Sequence, residues 1–230
     1  MNKYSYVTDL LKRGLIVSCQ ALENEPLHSS FIMSKMALAA KQGGAIAIRA
    51  NSNKDIVEIK KEVDLPLIGI VKKDYTDSEI YITPTIKEVE EVVSAGAEIV
   101  ALDATNRIRP GNKTLEQLVK KIRSEFSEIF IMADCSTYEE GVHADELGFD
   151  LVATTLCGYT PYSEGAVLPN IELIEKLSKT IKAPLIAEGG IWTVEDAEKA
   201  YNSGAYSLVI GSVITRPQLI TKRFVNAISK

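Results

Sequence analysis

The sequence has few of the residue types that build metal sites and disulfide frameworks. Its 230 residues include three cysteines and two histidines. A small, odd number of cysteines without close spacing is typical of a reducing compartment and predicts no disulfide framework. Neither His28 nor His143 ends a predicted strand, where a metal-dependent barrel enzyme would need its ligands. We therefore expect no metal site.

Long apolar runs and an excess of basic charge are also absent. No run approaches the roughly 20 apolar residues that a membrane-spanning helix needs, and residues 1–6 do not begin a stretch of the signal-peptide type. The 26 Lys and Arg against 31 Asp and Glu give a formal charge of -5, whereas nucleic-acid binding calls for a basic surface. These absences predict a cytoplasmic protein that binds neither nucleic acid nor a membrane.

Eight short apolar runs alternate with segments of helical periodicity. Because each run is apolar on both faces, the strands are expected to form a parallel sheet that helices cover on the outside. The predicted strands are Leu15–Cys19, Ala45–Arg49, Leu67–Val71, Ile99–Asp103, Ile129–Asp134, Leu151–Thr154, Leu185–Glu188 and Ser207–Ile210.

The pattern favours a closed barrel over an open sheet, because no strand is shortened or loaded with charge as an edge strand would be. A single (β/α)8 barrel typically uses about 250 residues. We therefore predict an α/β protein with one domain over residues 1–230, a (β/α)8 TIM barrel. An extra helix over Tyr4–Arg13 is expected to close the floor of the barrel, and a last helix is expected over Arg216–Ser229.

Chemistry-bearing side chains stand where the predicted strands end. In such barrels the carboxyl ends of the strands meet on one face, and active sites form there. Buried charges are costly unless they are paired or used, so the group as a whole predicts an active site. For Asp103 or Asp134 alone, a helix N-cap explains the residue equally well. The residues at the strand ends are Gln20, Arg49, Lys72, Asp103, Asp134, Thr155, Glu188, Gly211 and Ser212.

The loops after the last two strands predict a phosphate site. Barrels commonly bind phosphate there through backbone N–H groups, which glycine lets approach closely. The candidates are Gly189, Gly190 and Gly211, with the Ser212 hydroxyl as a further donor and Arg216 as a cationic clamp. The alternative is that these glycines only form tight turns. A sugar phosphate is thus favoured over a neutral sugar.

Lys72 and Glu188 are the predicted acid and base. A lysine in a desolvated barrel mouth can lose its proton near neutrality, because burial disfavours the ammonium ion. A glutamate there can exchange protons with hydroxyl oxygens. Lys73 is an alternative to Lys72, since alternation along this apolar strand does not decide which lysine points inward.

Nine segments carry a family resemblance along the whole barrel, in order. The sequence resembles the N-acetylmannosamine-6-phosphate 2-epimerase family, which is similar in fold to the phosphate-binding (β/α)8 barrels. The segments are Ser18–Leu22, Ile48–Asn51, Gly69–Tyr75, Ala101–Thr105, Met132–Ser136, Thr155–Thr160, Ala187–Ile191, Ile214–Pro217 and Lys222–Phe224.

The resemblance implies an enzyme of bacterial sialic acid breakdown that needs no cofactor and forms a homodimer. It implies conversion of N-acetylmannosamine 6-phosphate to N-acetylglucosamine 6-phosphate, with Lys72 moving the proton at carbon 2 and Glu188 as the catalytic glutamate. The other positions that we assign to the substrate are Gln20, Arg49, Asp134 and Thr155 for the sugar, and Gly211 and Arg216 for the phosphate.

Two other functions use the same residues. Lys72 could be the nucleophile of a Schiff-base aldolase or lyase, or the phosphate loops could serve a sensor without turnover. The epimerase mechanism also contains an electrostatic conflict. Glu188 and Asp134 would raise the pKa of Lys72, whereas burial and Arg49 would lower it, and the mechanism requires the second effect to dominate.

Overall fold

Eight parallel strands close a barrel in sequence order, and β8 pairs with β1. The structure is a computed structural model that describes residue 9 and residues 11–229. The predicted (β/α)8 barrel is confirmed. The strands are β1 Leu15–Cys19, β2 Ala47–Asn51, β3 Leu67–Ile70, β4 Ile99–Asp103, β5 Phe130–Asp134, β6 Leu151–Ala153, β7 Leu185–Glu188 and β8 Ser207–Ile210.

Seven helices, α1–α7, follow the first seven strands, and each begins after a Ser, Thr or Asn whose side-chain oxygen accepts a backbone N–H from the first turn. Such caps satisfy donors that a helix start leaves unpaired. Two further helices follow β8. The helices are α1 Ser30–Gln42, α2 Asn53–Glu62, α3 Ile86–Ser94, α4 Leu115–Glu125, α5 Tyr138–Glu146, α6 Ile171–Thr180, α7 Val194–Asn202, α8 Ser212–Thr215 and α9 Pro217–Ile228.

Alternate strand residues fill two separate cores. One set, including Ile68, Phe130 and Met132, packs inside the barrel, while the other packs against the surrounding helices. At Gly69 a Cβ atom would lie 2.4 Å from Val92 Cγ1, so α3 rests directly on β3. Close packing of this kind gives the strand ends fixed positions.

The helices predicted at the two ends of the chain have different outcomes. The predicted helix Tyr4–Arg13 lies largely outside the described residues, although Leu11 is fully buried with the interior core. The predicted last helix, Arg216–Ser229, is observed as α9, and α8 is a separate short helix before it, with the break between the two at Arg216, whose φ and ψ are -122° and 76°. Pro217 explains the break, because a proline disfavours helical geometry in the residue before it.

Helix α9 buries none of its side chains. Its apolar residues Phe224, Val225 and Ile228 are 71%, 49% and 82% exposed. An amphipathic helix normally places such residues against a core. Within the described residues, no helix is both long and apolar enough to cross a membrane.

Candidate active site

The carboxyl ends of the strands surround one cavity that brings the predicted site residues together. All the predicted site residues except Asp134 line it, and Asp134 is fully buried beside Arg49. Lys72 and Glu188 therefore face the same space. The lining residues from the prediction are Gln20, Arg49, Lys72, Thr155, Glu188, Gly189, Gly190, Gly211, Ser212 and Arg216.

A buried ion-pair network forms the wall of this cavity. Arg49, 1% exposed, donates from both Nη atoms to the Asp134 carboxylate, at 2.9 Å to Oδ1 and 2.5 Å to Oδ2. Its Nη1 atom also donates to Glu188 Oε2 at 2.7 Å. Burial opposes the charge, but the two carboxylates outweigh it and raise the pKa of Arg49 above its usual value. Arg49 is thus a permanent cation in a desolvated place.

Two neighbouring threonines after β6 hold Glu188. The Thr154 hydroxyl accepts the Glu188 N–H at 3.1 Å and donates to the Glu188 carbonyl oxygen at 2.9 Å. The Thr155 hydroxyl lies 3.0 Å from Glu188 Oε2 and 2.6 Å from Asp134 Oδ1. Thr154 therefore fixes the backbone of Glu188, and Thr155 contacts its carboxyl group.

Glu188 is poised to exchange a proton near neutrality. Burial, followed by the nearby charge of Asp134, raises its pKa to about 7, against the opposing charges of Arg49 and Lys72. Burial has this effect because it disfavours the charged form of a carboxyl group. Such a group is able to act as acid or base at neutral pH.

The segment after β3 folds back and decides which lysine faces the cavity. Lys72 pairs with Ile82 in an antiparallel bridge, and its backbone N–H donates to Asn51 Oδ1 at 2.9 Å. Lys73 points away, with Nζ 3.4 Å from Glu88 Oε1. Lys72 is therefore the lysine of the site.

The electrostatic conflict over Lys72 is settled by burial and by neighbouring cations. Burial, then the charges of Arg49 and Arg216, lowers the pKa of Lys72 to about 8, although Glu188 and Glu25 oppose the shift. A substantial fraction of Lys72 is thus a neutral amine near neutral pH. A neutral amine can remove a proton or attack a carbonyl.

Glu25 is a site residue that sequence analysis missed. Its carboxylate accepts from Arg216 Nε at 2.7 Å, from Arg216 Nη2 at 3.0 Å and from Gln218 Nε2 at 3.1 Å. Arg216 Nη1 lies 3.2 Å from Ser212 Oγ on the cavity side. Glu25 therefore orients Arg216. No sequence signal marked it, since it is one polar residue in a polar loop.

The candidate phosphate loops depend on glycine at one point. Gly190 has φ of 70°, and a Cβ there would lie 2.2 Å from the Leu168 Cβ. Any side chain would therefore displace the loop that follows β6. The cavity is also lined by Tyr81, which the sequence analysis did not select.

The remaining candidates lie outside this cavity. Asp103 is buried and binds Arg107 Nη2 at 2.6 Å, and His143 pairs with Glu116 at 2.9 Å. His28 contacts the Ala21 carbonyl oxygen at 3.1 Å. Across residue 9 and residues 11–229, no cluster of His, Cys, Asp and Glu suits a metal ion. The three free cysteines are buried, as expected of packing residues.

Comparisons of sequence and of structure with known proteins point to the same family. Residues 33–230 match the family model described as putative N-acetylmannosamine-6-phosphate epimerase. A relative in Caldanaerobacter subterraneus subsp. tengcongensis, named putative N-acetylmannosamine-6-phosphate 2-epimerase, is 57% identical over 96% of this chain and 93% of its own. A relative of the same name in Clostridioides difficile is 54% identical over 96% and 98%.

Solved structures agree in fold. The N-acetylmannosamine-6-phosphate 2-epimerase of Clostridium perfringens superposes with a TM-score of 0.93 and 55% identity, over 96% of each chain. Thiamine phosphate pyrophosphorylase of Pyrococcus furiosus superposes with a TM-score of 0.61 at 17% identity, covering 96% of this chain and 99% of its own, and shows the fold alone.

The closed barrel with its polar cavity at the carboxyl ends of the strands defines a (β/α)8-barrel enzyme. Within that class, the chain belongs to the N-acetylmannosamine-6-phosphate epimerase family. This agrees with the resemblance seen in the sequence.

The buried network predicts a large stability effect at Asp134. Asp134→Asn removes the bidentate partner of a buried arginine, and such a loss typically costs about 3 kcal/mol or more. We expect the free energy of unfolding, measured in urea, to fall by about that amount. The control is Lys176→Gln, which breaks an exposed ion pair with Glu172. It should change the free energy of unfolding by less than about 1 kcal/mol. Equal losses in the two variants would contradict the network's role.

Proposed function

We propose that this enzyme interconverts N-acetylmannosamine 6-phosphate and N-acetylglucosamine 6-phosphate by removing and returning the proton at carbon 2. The observation that carries the proposal is a lysine with a lowered pKa in the same cavity as Glu188 and the permanently charged Arg49. Family membership supports the substrate. We place the reaction in the cytoplasmic breakdown of amino sugars and sialic acid.

The chemistry matches the groups present. The sugar ring must first open, which requires a proton transfer between Glu188 and the ring and anomeric oxygens. In the open form an aldehyde adjoins carbon 2, so the neutral amine of Lys72 can remove that proton. The electron pair moves onto the aldehyde oxygen as an enolate, and Arg49 is the cation that stabilises it. Return of a proton to the opposite face gives the epimer, and no cofactor takes part.

The other end of the cavity suits the phosphate. Arg216, held by Glu25, presents Nη1 beside Ser212 Oγ. Gly189, Gly190 and Gly211 line the same end and allow the backbone to approach an oxyanion. Binding the remote phosphate helps to hold carbon 2 at the lysine. We assign Gln20, which lines the cavity, and Asp134, which pairs with Arg49, to the sugar.

The Schiff-base alternative uses the same neutral amine. It requires carbon–nitrogen bond formation between Lys72 and the aldehyde, which borohydride would trap as a stable adduct. The epimerase mechanism forms no such bond. Family membership favours the epimerase, and trapping of an adduct at Lys72 would favour the lyase.

Lys72 is the residue to test. We expect Lys72→Ala to slow solvent deuterium exchange at carbon 2 by at least about 100-fold, because the base is lost. Proton NMR of N-acetylmannosamine 6-phosphate in deuterated buffer measures this exchange together with epimerisation, and calorimetry checks that the sugar phosphate still binds. Lys73→Ala is the matched control and should exchange at the normal rate. Normal exchange in Lys72→Ala would remove Lys72 from the role of base.

We also propose a homodimer in which α9 forms part of the interface. Phe224, Val225 and Ile228 present an apolar face that the described chain leaves exposed, and a second copy would cover it. Light scattering should give twice the chain mass, and Phe224→Glu should shift the protein toward the monomer. Val167→Glu changes an exposed apolar residue in the loop after β6 and should leave the dimer intact. A monomeric wild-type protein would contradict the proposal.

A further inference from the structure

Thr155 lies between the two carboxylates of the site. Its Oγ1 atom is 2.6 Å from Asp134 Oδ1 and 3.0 Å from Glu188 Oε2. A threonine hydroxyl has one hydrogen and two lone pairs, so it donates to only one of these carboxylates at a time. Which carboxylate receives the hydrogen decides what Thr155 does to the other.

The geometry favours donation to Asp134. That contact is the shorter one, and the Asp134 carboxylate also accepts two hydrogen bonds from Arg49. Donation to Glu188 instead would stabilise the Glu188 carboxylate and lower its pKa. Once the hydrogen points at Asp134, a lone pair of Thr155 faces Glu188 Oε2. Two oxygens at 3.0 Å without a hydrogen between them repel each other.

A proton on Glu188 removes this repulsion. We propose that Thr155 is a positioning residue that accepts a hydrogen bond from protonated Glu188 while it donates its own hydrogen to Asp134. The chain of donors then runs from Glu188 Oε2 to Thr155 Oγ1 to Asp134 Oδ1. This inference rests on the proposed function, in which Glu188 supplies the proton for ring opening.

The other charged groups around Glu188 act in both directions. Arg49 and Lys72 favour the ionised carboxylate, whereas burial and Asp134 favour the protonated acid, and the pKa is about 7 when Thr155 donates its hydrogen to Glu188. Lys72, whose pKa is about 8, must be neutral at the same time. By accepting from the acid, Thr155 increases the fraction of molecules in which a protonated Glu188 faces a neutral Lys72.

The proposal predicts the shape of the pH profile and the direction in which it changes when Thr155 is replaced. If only that form turns over, kcat/KM rises with pH, is level between the pKa values of Glu188 and Lys72 and then falls. Thr155→Val removes the acceptor, so the pKa of Glu188 should fall, by about one pH unit for the loss of one buried hydrogen bond. The pH at which the acid limb reaches the plateau should then fall by about one unit. The value of kcat/KM on the plateau should drop about tenfold, and the pH at which the alkaline limb begins should stay the same.

A direct titration separates this proposal from the proposed function. Carbon-13 NMR of carboxyl-labelled glutamate follows the protonation of Glu188 without turnover, and its signal is identified by its loss in Glu188→Gln. We expect a lower midpoint in Thr155→Val than in the wild type, and the wild-type midpoint in Thr155→Ser, which keeps the hydroxyl. Thr155→Ala carries the same expectation as Thr155→Val if the valine variant does not fold.

Thr154→Val is the matched control. It removes a hydroxyl that binds the backbone of Glu188 but not its carboxyl group, so the midpoint should stay unchanged even if stability falls. An unchanged midpoint in Thr155→Val would overturn the proposal. A raised midpoint would overturn it too, because the hydroxyl would then be donating to Glu188. If the protein shows no epimerase activity but the midpoint falls as expected, the assignment of Thr155 stands and the proposed function fails.

Discussion

The site depends on one interaction, the buried pairing of Arg49 with Asp134 and Glu188. A guanidinium group that is 1% exposed keeps its charge only because two carboxylates lie within hydrogen-bond distance. That fixed charge then acts on its neighbours. It helps to keep Lys72 deprotonated, and in the proposed reaction it faces the oxygen on which negative charge develops.

The barrel makes this pairing possible, because each partner comes from a different strand. Arg49 is in β2, Asp134 ends β5 and Glu188 ends β7, so only a closed sheet brings the three together. The interior core below them is apolar and tightly packed, which keeps water away from the pair on that side. Fold and electrostatics are thus linked, since the same closure that buries the core also desolvates the site.

Much of this could be predicted from the sequence, because strand ends in a parallel barrel share one face. The eight strands were predicted within about two residues of their observed bounds, and the residues at their ends line the cavity, except Asp103 and Asp134. The choice between Lys72 and Lys73 could not be predicted. It depends on how the segment after β3 folds back onto Ile82, a non-local contact without a sequence period.

Glu25 escaped prediction for a similar reason. Glu25 acts through Arg216, which lies 191 residues away in the sequence, and a single loop glutamate carries no pattern. The last helix, by contrast, was predicted over Arg216–Ser229 and is observed over Pro217–Ile228, because its apolar periodicity is a local signal. Sequence patterns thus located the site, while the orientation of its side chains required the structure.

The central claim is that the pKa of Lys72 is lowered to about 8, so that part of it is a neutral amine near physiological pH, and titration of its own side chain tests that claim most directly. Carbon-13 NMR of lysine labelled at Cε, with the Lys72 signal identified by its loss in Lys72→Ala, follows the charge of the amine. A midpoint of about 8 is predicted. A midpoint near 10.5, the value of a solvated lysine, would contradict it.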